Sequence, residues 1–174
     1  DIAKATDLEL EVFIHGAMCT CFSGRCALSN YVTGRDANRG GCAQSCRWKY
    51  RMYDDGNLIS PEECLFSMSS KDLQAASVIT SLMDMGIDSL KIEGRMKKPE
   101  YVALVTAMYR KYVDLYNQKG RKGFKVSRED KEVLLQAYKR RGYCDGYYYR
   151  HNGKDMISFE RPSSDSEVAW EGIE

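Results

Sequence analysis

The sequence predicts an α/β protein assembled from parallel βα units, and three stretches carry that reading. "LELEVFIHG", from Leu8 to Gly16, alternates and ends on β-branched and aromatic residues, the pattern of a buried strand. "SSKDLQAASVITSLMDMG" followed by "IDSLKIEG" places a helix directly before a short strand. A second helix opens at Pro99 a few residues later. A helix, a strand and a helix joined by short links indicate parallel strands with helical crossovers.

Taken in order, the thiol-rich stretch "GAMCTCFSGRCALSNYVTGRDANRGGCAQSC", residues 16–46, leaves the C-terminal end of the first strand. A short helix is expected from Arg25 to Val32, and "TGRDANRGG", from Thr33 to Gly41, is expected as loop. "CRWKYRMY", from Cys46 to Tyr53, is a second strand candidate, closed by the turn "DDGN". Residues 58–70 read as irregular because Pro61 breaks any regular element. The helix over 69–86 takes Ser69 or Ser70 as cap, Asp72 in its first turn and Gly86 as its stop. Its apolar stripe is Leu73, Ala76, Ile79, Leu82 and Met83. The strand of "IDSLKIEG" ends at Glu93 and Gly94. Pro99 then opens a helix near Glu100–Lys119, striped by Val102, Val105, Met108, Tyr109, Tyr112 and Leu115. A capped helix runs from Ser127 to Arg141, and "GYYYRHNGKDMISF" reads as a hairpin turning at Asn152-Gly153. The polar tail from Pro162 is expected to be disordered.

Composition narrows the function classes. The 174 residues suffice for one domain with a substantial core, or for part of a larger one. No apolar run approaches the roughly 20 residues of a membrane span, so no membrane partner is expected. No signal or transit peptide opens the chain, which points to the cytoplasm. The first residue is Asp1, the mark of a processed product or a fragment. Net charge is +1, but Lys91–Gly142 holds 15 basic against 6 acidic residues. Such a block is either a polyanion-binding surface or a pair of solvated helices.

Familiar catalytic motifs are absent. The two histidines, His15 and His151, form no H-E-x-x-H pattern. There is no G-x-G-x-x-G or P-loop, and "CFSGR" is not a G-x-S-x-G elbow. The basic stretch "KGRKGFK", Lys119–Lys125, suits either phosphate contact or a plain inter-helix loop. What remains is cysteine. Seven cysteines, an odd number, with five inside residues 16–46, fit metal ligation or catalysis better than disulfides in a reducing compartment. Thiolates suit zinc or iron–sulfur clusters, and the absence of a C-x-x-C pair lowers the zinc reading. Gly16, Gly24, Gly34, Gly40 and Gly41 would let the backbone wrap a bulky inorganic core. Spacing alone leaves a cluster and unligated, partly buried thiols both open.

"EVFIHGAMCTCFSGRCALSNYVTGRDANRGGCAQSCRWKY", with "SLKIEGRMKKPEYV" and "NGKDMISFERP", resembles the collagenase-like peptidase family, the unassigned-mechanism peptidase family U thirty-two. The family signature E-x-F-x-x-G-x-x-C-x(6)-C-x-x-S falls on Glu11, Phe13, Gly16, Cys19, Cys26 and Ser29. The "SNYxTGRDAN" and "CRW" wording is most similar to the branch of bacterial transfer-RNA uridine hydroxylation proteins. The resemblance implies the C-terminal part of a parallel β/α (TIM-like) barrel, with additional C-terminal helices and a hairpin. The partial barrel would occupy residues 1–120, the added helix and hairpin 121–162, and the disordered tail 163–174. The N-terminal half of the barrel would come from a longer parent or a second chain.

The resemblance also implies a [4Fe–4S] cluster, one that aerobic purification can strip. Cys19, Cys26 and Cys42 match cluster positions in relatives. The fourth ligand in some relatives lies where this chain has Gln74, and in others it is the second thiol of the C-x-x-x-C pair, Cys46. Cys19, Cys26, Cys42 and Cys46 are therefore the expected ligands, with Cys64 in reserve, and Cys21 and Cys144 are expected to be structural. Two functions compete. The first is an enzyme that 5-hydroxylates wobble uridine in transfer RNA, with Arg35, Asp36, Arg39 and Arg47 either binding an anion or anchoring loops. The second is a protease for extended peptides, with His15 as base, or with Glu11 and Glu93 at the barrel mouth holding a metal. In the first reading His15 satisfies a backbone group at the strand end. A non-catalytic interaction module is a third.

Overall fold

The computed structural model describes residues 2–22, 25–94, 97–137, 142–151 and 153–159. After the short helix α1 (Ile2–Ala5), the chain runs through strand β1 (Glu11–Ala17) and helix α2 (Ala27–Thr33). The small strands β2 (Tyr53–Asp54) and β3 (Asn57–Leu58) form a hairpin around Asp55-Gly56. There follow β4 (Phe66–Ser70), β5 (Asp72–Gln74), α3 (Ile79–Asp84), β6 (Ser89–Ile92), α4 (Pro99–Lys119), α5 (Arg128–Ala137), β7 (Tyr143–Cys144) and β8 (Ile157–Phe159). Gly24, the end of the expected Ser127–Arg141 helix beyond Ala137, Asn152 and the tail 163–174 lie outside the described residues.

The protein is mixed α/β. Its main sheet has the order β6-β1-β5-β7, with β1 parallel to β6, β5 parallel to β7, and β1 antiparallel to β5. The antiparallel pair departs from the all-parallel arrangement expected, and the described strands form no closed barrel. Strand β1 carries one extra residue between Phe13 and His15 relative to β6, which breaks the in–out alternation and buries Ile14, His15 and Gly16 in succession. One core joins Ile14, Leu73, Val78, Ile79 and Leu82 to Leu104, Val105, Tyr109 and Leu134. No helix among the described residues is long and apolar enough to cross a membrane.

Four local expectations are corrected. Residues 69–74 are strand, not the start of a helix, and only Ile79–Asp84 is α-helical after a tight turn at Ala76–Val78. Ser69, Ser70 and Asp72 are buried side chains of the sheet rather than helix caps. Cys46–Met52 is not a continuous strand; Tyr50 alone bridges Phe66, and Tyr53 opens β2. Its first residues form a 3-10 turn, Ser45–Arg47, and Trp48 and Met52 stay exposed, so no buried face holds it extended. Residues 58–70, expected to be irregular, include β4. Among the described residues the two expected hairpin strands do not pair with each other: β7 joins β5, whereas β8 pairs antiparallel with β4.

The stripe of α4 is rotated from the expected one. Tyr101, Leu104, Val105, Tyr109 and Tyr112 are buried, while Val102 is 40% exposed. Buried tyrosines need a partner for the hydroxyl. Tyr109 finds Ile14 O and Ala75 N, and Tyr112 finds Asp130. Ser127 caps α5 by accepting from Asp130 N at 3.0 Å. Four cations of the basic block meet acids: Lys111 pairs with Asp130 at 2.7 Å, Arg121 with Asp84, Arg110 with Asp114 and Arg128 with Glu132.

Candidate functional site

The thiol segment leaves β1 at Ala17, beside the end of the parallel strand β6. The carboxyl ends of parallel strands are where open α/β sheets hold ligands. Arg47 fastens the segment to the sheet. Its guanidinium donates to Met18 O at 3.0 Å, to Ser69 Oγ at 2.9 Å and to Ser70 O, while Ser70 Oγ also donates to Met18 O. Of the two roles open to Arg47, anchoring is the one this geometry gives it. Ser29, last residue of the signature, ties the two thiol arms together. It is fully buried, and its Oγ accepts from Ala43 N at 3.0 Å and donates to Arg35 O at 3.5 Å. Cys26, three residues before Ser29, and Cys42, one before Ala43, are thereby held by one hydroxyl.

Three sulfurs accept backbone N–H groups. Cys21 N donates to Cys19 Sγ at 3.4 Å, Ser29 N to Cys26 Sγ at 3.4 Å, and Gln44 N to Cys42 Sγ at 3.3 Å. Burial pushes the Cys19 thiol up, the Cys21 N–H opposes this, and Cys46, Cys21 and Cys26 push it up further as like charges. Tyr50 is raised by burial and by the neighbouring Cys46 and Cys26. Cys19, Cys21, Cys26 and Cys46 therefore share one electrostatic neighbourhood. Among the described residues, however, no three His, Cys, Asp or Glu side chains converge on a single ion. Cys64 lies in a separate loop, its N–H bonded to Pro61 O. Cys144 packs its sulfur 3.6 Å from Met18 Sδ. All seven cysteines are free thiols.

The remaining candidates fall in two places. Arg35 is exposed, and Arg39 is exposed and paired with Asp36 at 3.6 Å. Both lie on the loop beyond α2. His15 and Glu93 meet at the ends of β1 and β6, where Glu93 N donates to His15 O at 2.8 Å. Glu11 sits at the opposite end of β1, bonded to Lys91 and Ser89, so it does not join Glu93. Lys91 and Ser89 hold its carboxyl below the ordinary range.

His15 satisfies no backbone group through its ring. Its Nδ1 lies 3.2 Å from Tyr109 Oη, and that hydroxyl donates to Ile14 O and accepts from Ala75 N. With the phenolic proton committed to Ile14, Nδ1 must be the donor, which leaves Nε2 as a lone pair. Nε2 is buried with no hydrogen-bond partner among the described residues. The rings of Tyr101, Tyr109 and Tyr143 surround it at 5.2–6.0 Å. Burial, and the charge of Lys97, push its pKa down to about 3. The sequence points to His15 and Arg47, but the part played by Tyr109 is hidden in the helical stripe. Ser29 is flagged only by its place in the signature.

Comparison with known proteins identifies several relatives. The chain is 53% identical over 121 residues to "tRNA hydroxylation protein P1" of Bacillus subtilis, covering 67% of this chain and 29% of that protein. It is 32% identical over 202 residues to "tRNA hydroxylation protein P" of Escherichia coli, covering 90% and 44%. It is 38% identical over 145 residues to a "Collagenase" of Porphyromonas gingivalis, covering 83% and 39%. The chain thus spans less than half the length of these relatives. No solved structure matches it. Residues 1–158 match peptidase family U32, and the chain belongs to that family.

Proposed function

We propose that this chain is part of an RNA-hydroxylating enzyme of the cytoplasm. Its thiol segment would hold a [4Fe–4S] cluster through Cys19, Cys26, Cys42 and Cys46, and its substrate would be the wobble uridine of transfer RNA. The observation that carries the reading is the set of thiols at the end of β1, three of which accept backbone N–H groups. The names of the relatives supply the reaction: two that match are transfer-RNA hydroxylation proteins, and another, 48% identical over 114 residues, is a 23S ribosomal RNA 5-hydroxycytidine synthase of Escherichia coli.

Replacing C5–H of a pyrimidine by C5–OH is a two-electron oxidation that also adds an oxygen atom. A bound co-substrate would have to supply the oxygen and an external acceptor the place for both electrons, which acid–base side chains cannot do. A cluster held by thiolates supplies one-electron transfer. The donor set fits that group in kind, since soft thiolates with N–H···S bonds are what iron–sulfur sites use. The chain's own residues hold and orient it: Arg47 docks the segment on the sheet and Ser29 joins the Cys26 and Cys42 arms. Arg35, exposed on the loop beyond α2, would receive an anionic group, while Arg39 pairs with Asp36. In this reading, residues 1–120 are a portion of a β/α barrel that the rest of the longer protein closes, and 121–162 are its C-terminal addition.

Anaerobically prepared full-length protein should contain about four irons and four sulfides per chain. It should also restore hydroxyuridine, read by mass spectrometry, to transfer RNA from cells lacking the gene. A colourless, zinc-loaded protein, or no restoration, would overturn the proposal. The peptidase reading rests on the collagenase relative. The geometry favours it less, because His15 is 1% exposed and its Nδ1 is engaged by Tyr109. Collagen cleavage abolished by replacing His15 or Glu93 would restore it.

A further inference from the structure

The thiol segment spends its apolar rings on solvent. Phe22 is 85% exposed, Tyr31 91% and Trp48 42%, and each lies within five residues of a thiol: Cys21, Cys26 and Cys46 respectively. Helix α2, which carries Tyr31, buries only Ser29. A large exposed ring costs hydration free energy unless something covers it.

The same stretch is basic. Residues 16–53 hold six Lys and Arg against one acidic residue, Asp36. Arg47 is consumed by the clamp and Arg39 by Asp36. Arg25, Arg35, Lys49 and Arg51 are exposed, and no ion pair among the described residues engages them. The helical block Lys91–Gly142 also keeps exposed cations outside its ion pairs, Lys98, Lys122 and Lys125 among them, but none of its described aromatic rings is exposed. Exposed rings interleaved with unpaired cations are the chemistry of single-stranded nucleic acid binding, where bases stack on rings and phosphates meet cations. A duplex keeps its bases stacked on one another and cannot use the rings.

Building on the RNA reading above, we infer that the thiol-segment face, through Phe22, Tyr31 and Trp48, receives unstacked nucleotides of a single-stranded RNA loop, and that the helical block is not the principal RNA surface. The surface lies beside the thiols, so a base splayed onto it would already be at the proposed cluster.

The test uses full-length protein with a fluorescein-labelled single-stranded oligouridylate and an RNA duplex of equal length. Tyr31→Ala, Phe22→Ala and Trp48→Ala should each weaken single-strand binding by roughly 5- to 150-fold, the range that one base stack supplies. Tyr31→Phe should bind like wild type, and duplex binding should be weak and unchanged. Circular dichroism should show all variants folded, as their exposure predicts. Reversing Arg25 or Lys49 should lower the log–log salt slope by about 0.7 for each phosphate that is no longer neutralised. Wild-type affinity in all three alanine variants, or equal affinity for duplex, would overturn the inference. So would unaltered RNA binding accompanied by loss of self-association, which would mark the face as a protein interface. In any of those cases, restored hydroxylation of transfer RNA by the same variants leaves the enzymatic proposal standing. Wild-type protein that neither binds RNA nor restores hydroxylation rejects both.

Discussion

A Cβ built on Gly16 would lie 2.5 Å from the carbonyl oxygen of Glu93 and 2.8 Å from its Cβ. The last turn of β1 therefore touches the end of β6 with no room for a side chain, and Gly16 also has a φ of +112°. Both constraints act on the strand end from which the thiols depart. Gly16→Ala should destabilise the full-length protein by on the order of 3 kcal/mol, combining backbone strain and overpacking. The check is the thermal midpoint, together with soluble yield.

Arg47 makes at least three hydrogen bonds with one planar group, and a lysine ammonium cannot reproduce that fork. Arg47→Lys should cost about 2 kcal/mol, because charge-assisted bonds are lost and the Met18 and Ser70 carbonyls are left short of donors. Hydrogen exchange should then accelerate in residues 18–22 and 42–50 while the α4 core stays protected.

Ser29→Ala removes no thiol but leaves the Ala43 N–H without its acceptor. A loss of about 1–3 kcal/mol is expected for such a buried donor. Iron content of anaerobic protein should fall even though all seven cysteines remain. Unchanged iron with unchanged stability would show that the hydroxyl does not hold the two arms.

Single alanine replacements of Cys19, Cys26, Cys42 and Cys46 should each abolish the visible absorption of the anaerobic protein. Cys21→Ala and Cys144→Ala should retain it. Cys64, on the loop bonded to Pro61 O, is the reserve ligand, and its replacement should leave the spectrum intact. A spectrum that survives Cys46→Ala but not Cys64→Ala would move the fourth ligand.

His15 gives a pH signature. Its folded pKa, about 3, lies below the unfolded value near 6.5, so the unfolded chain binds the extra proton between them. Stability is full above about pH 6.5 and falls as pH drops toward 3, by up to about 1.4 kcal/mol per unit. His15→Asn keeps a donor toward Tyr109 and removes the titration. Its stability should be flatter over that interval than that of wild type, measured by denaturation at pH 7, 5.5 and 4.5.

The elements with explicit end signals were legible in the sequence. Pro99 and Gly120 bracket α4, Ser127 caps α5, and Gly86 with φ +70° stops α3. Strands β4 and β5 were not legible because, beside Phe66 and Leu73, three of their five buried positions are the polar Ser69, Ser70 and Asp72. Those residues look like a helix cap until Arg47 and Met18 are seen to bind the serines. The hairpin misreading has a similar source: alternation in 143–159 marks strands but does not say which neighbours they join. The thiols were found by counting. What holds them, a hydroxyl and a guanidinium reaching across the chain, has no local sequence pattern.

The Arg47 clamp also sets an order of events during synthesis. The thiols of residues 19–46 are made before their anchor, which needs Ser69 and Ser70, and the strand that carries both pairs with β8 at Ile157–Phe159. More than a hundred residues separate Cys46 from that partner, which at ribosomal rates is roughly 5 to 20 seconds. The thiol segment is thus made well before the strands that fix it, and through that interval its sulfurs meet the surrounding solution before the sheet has set their positions.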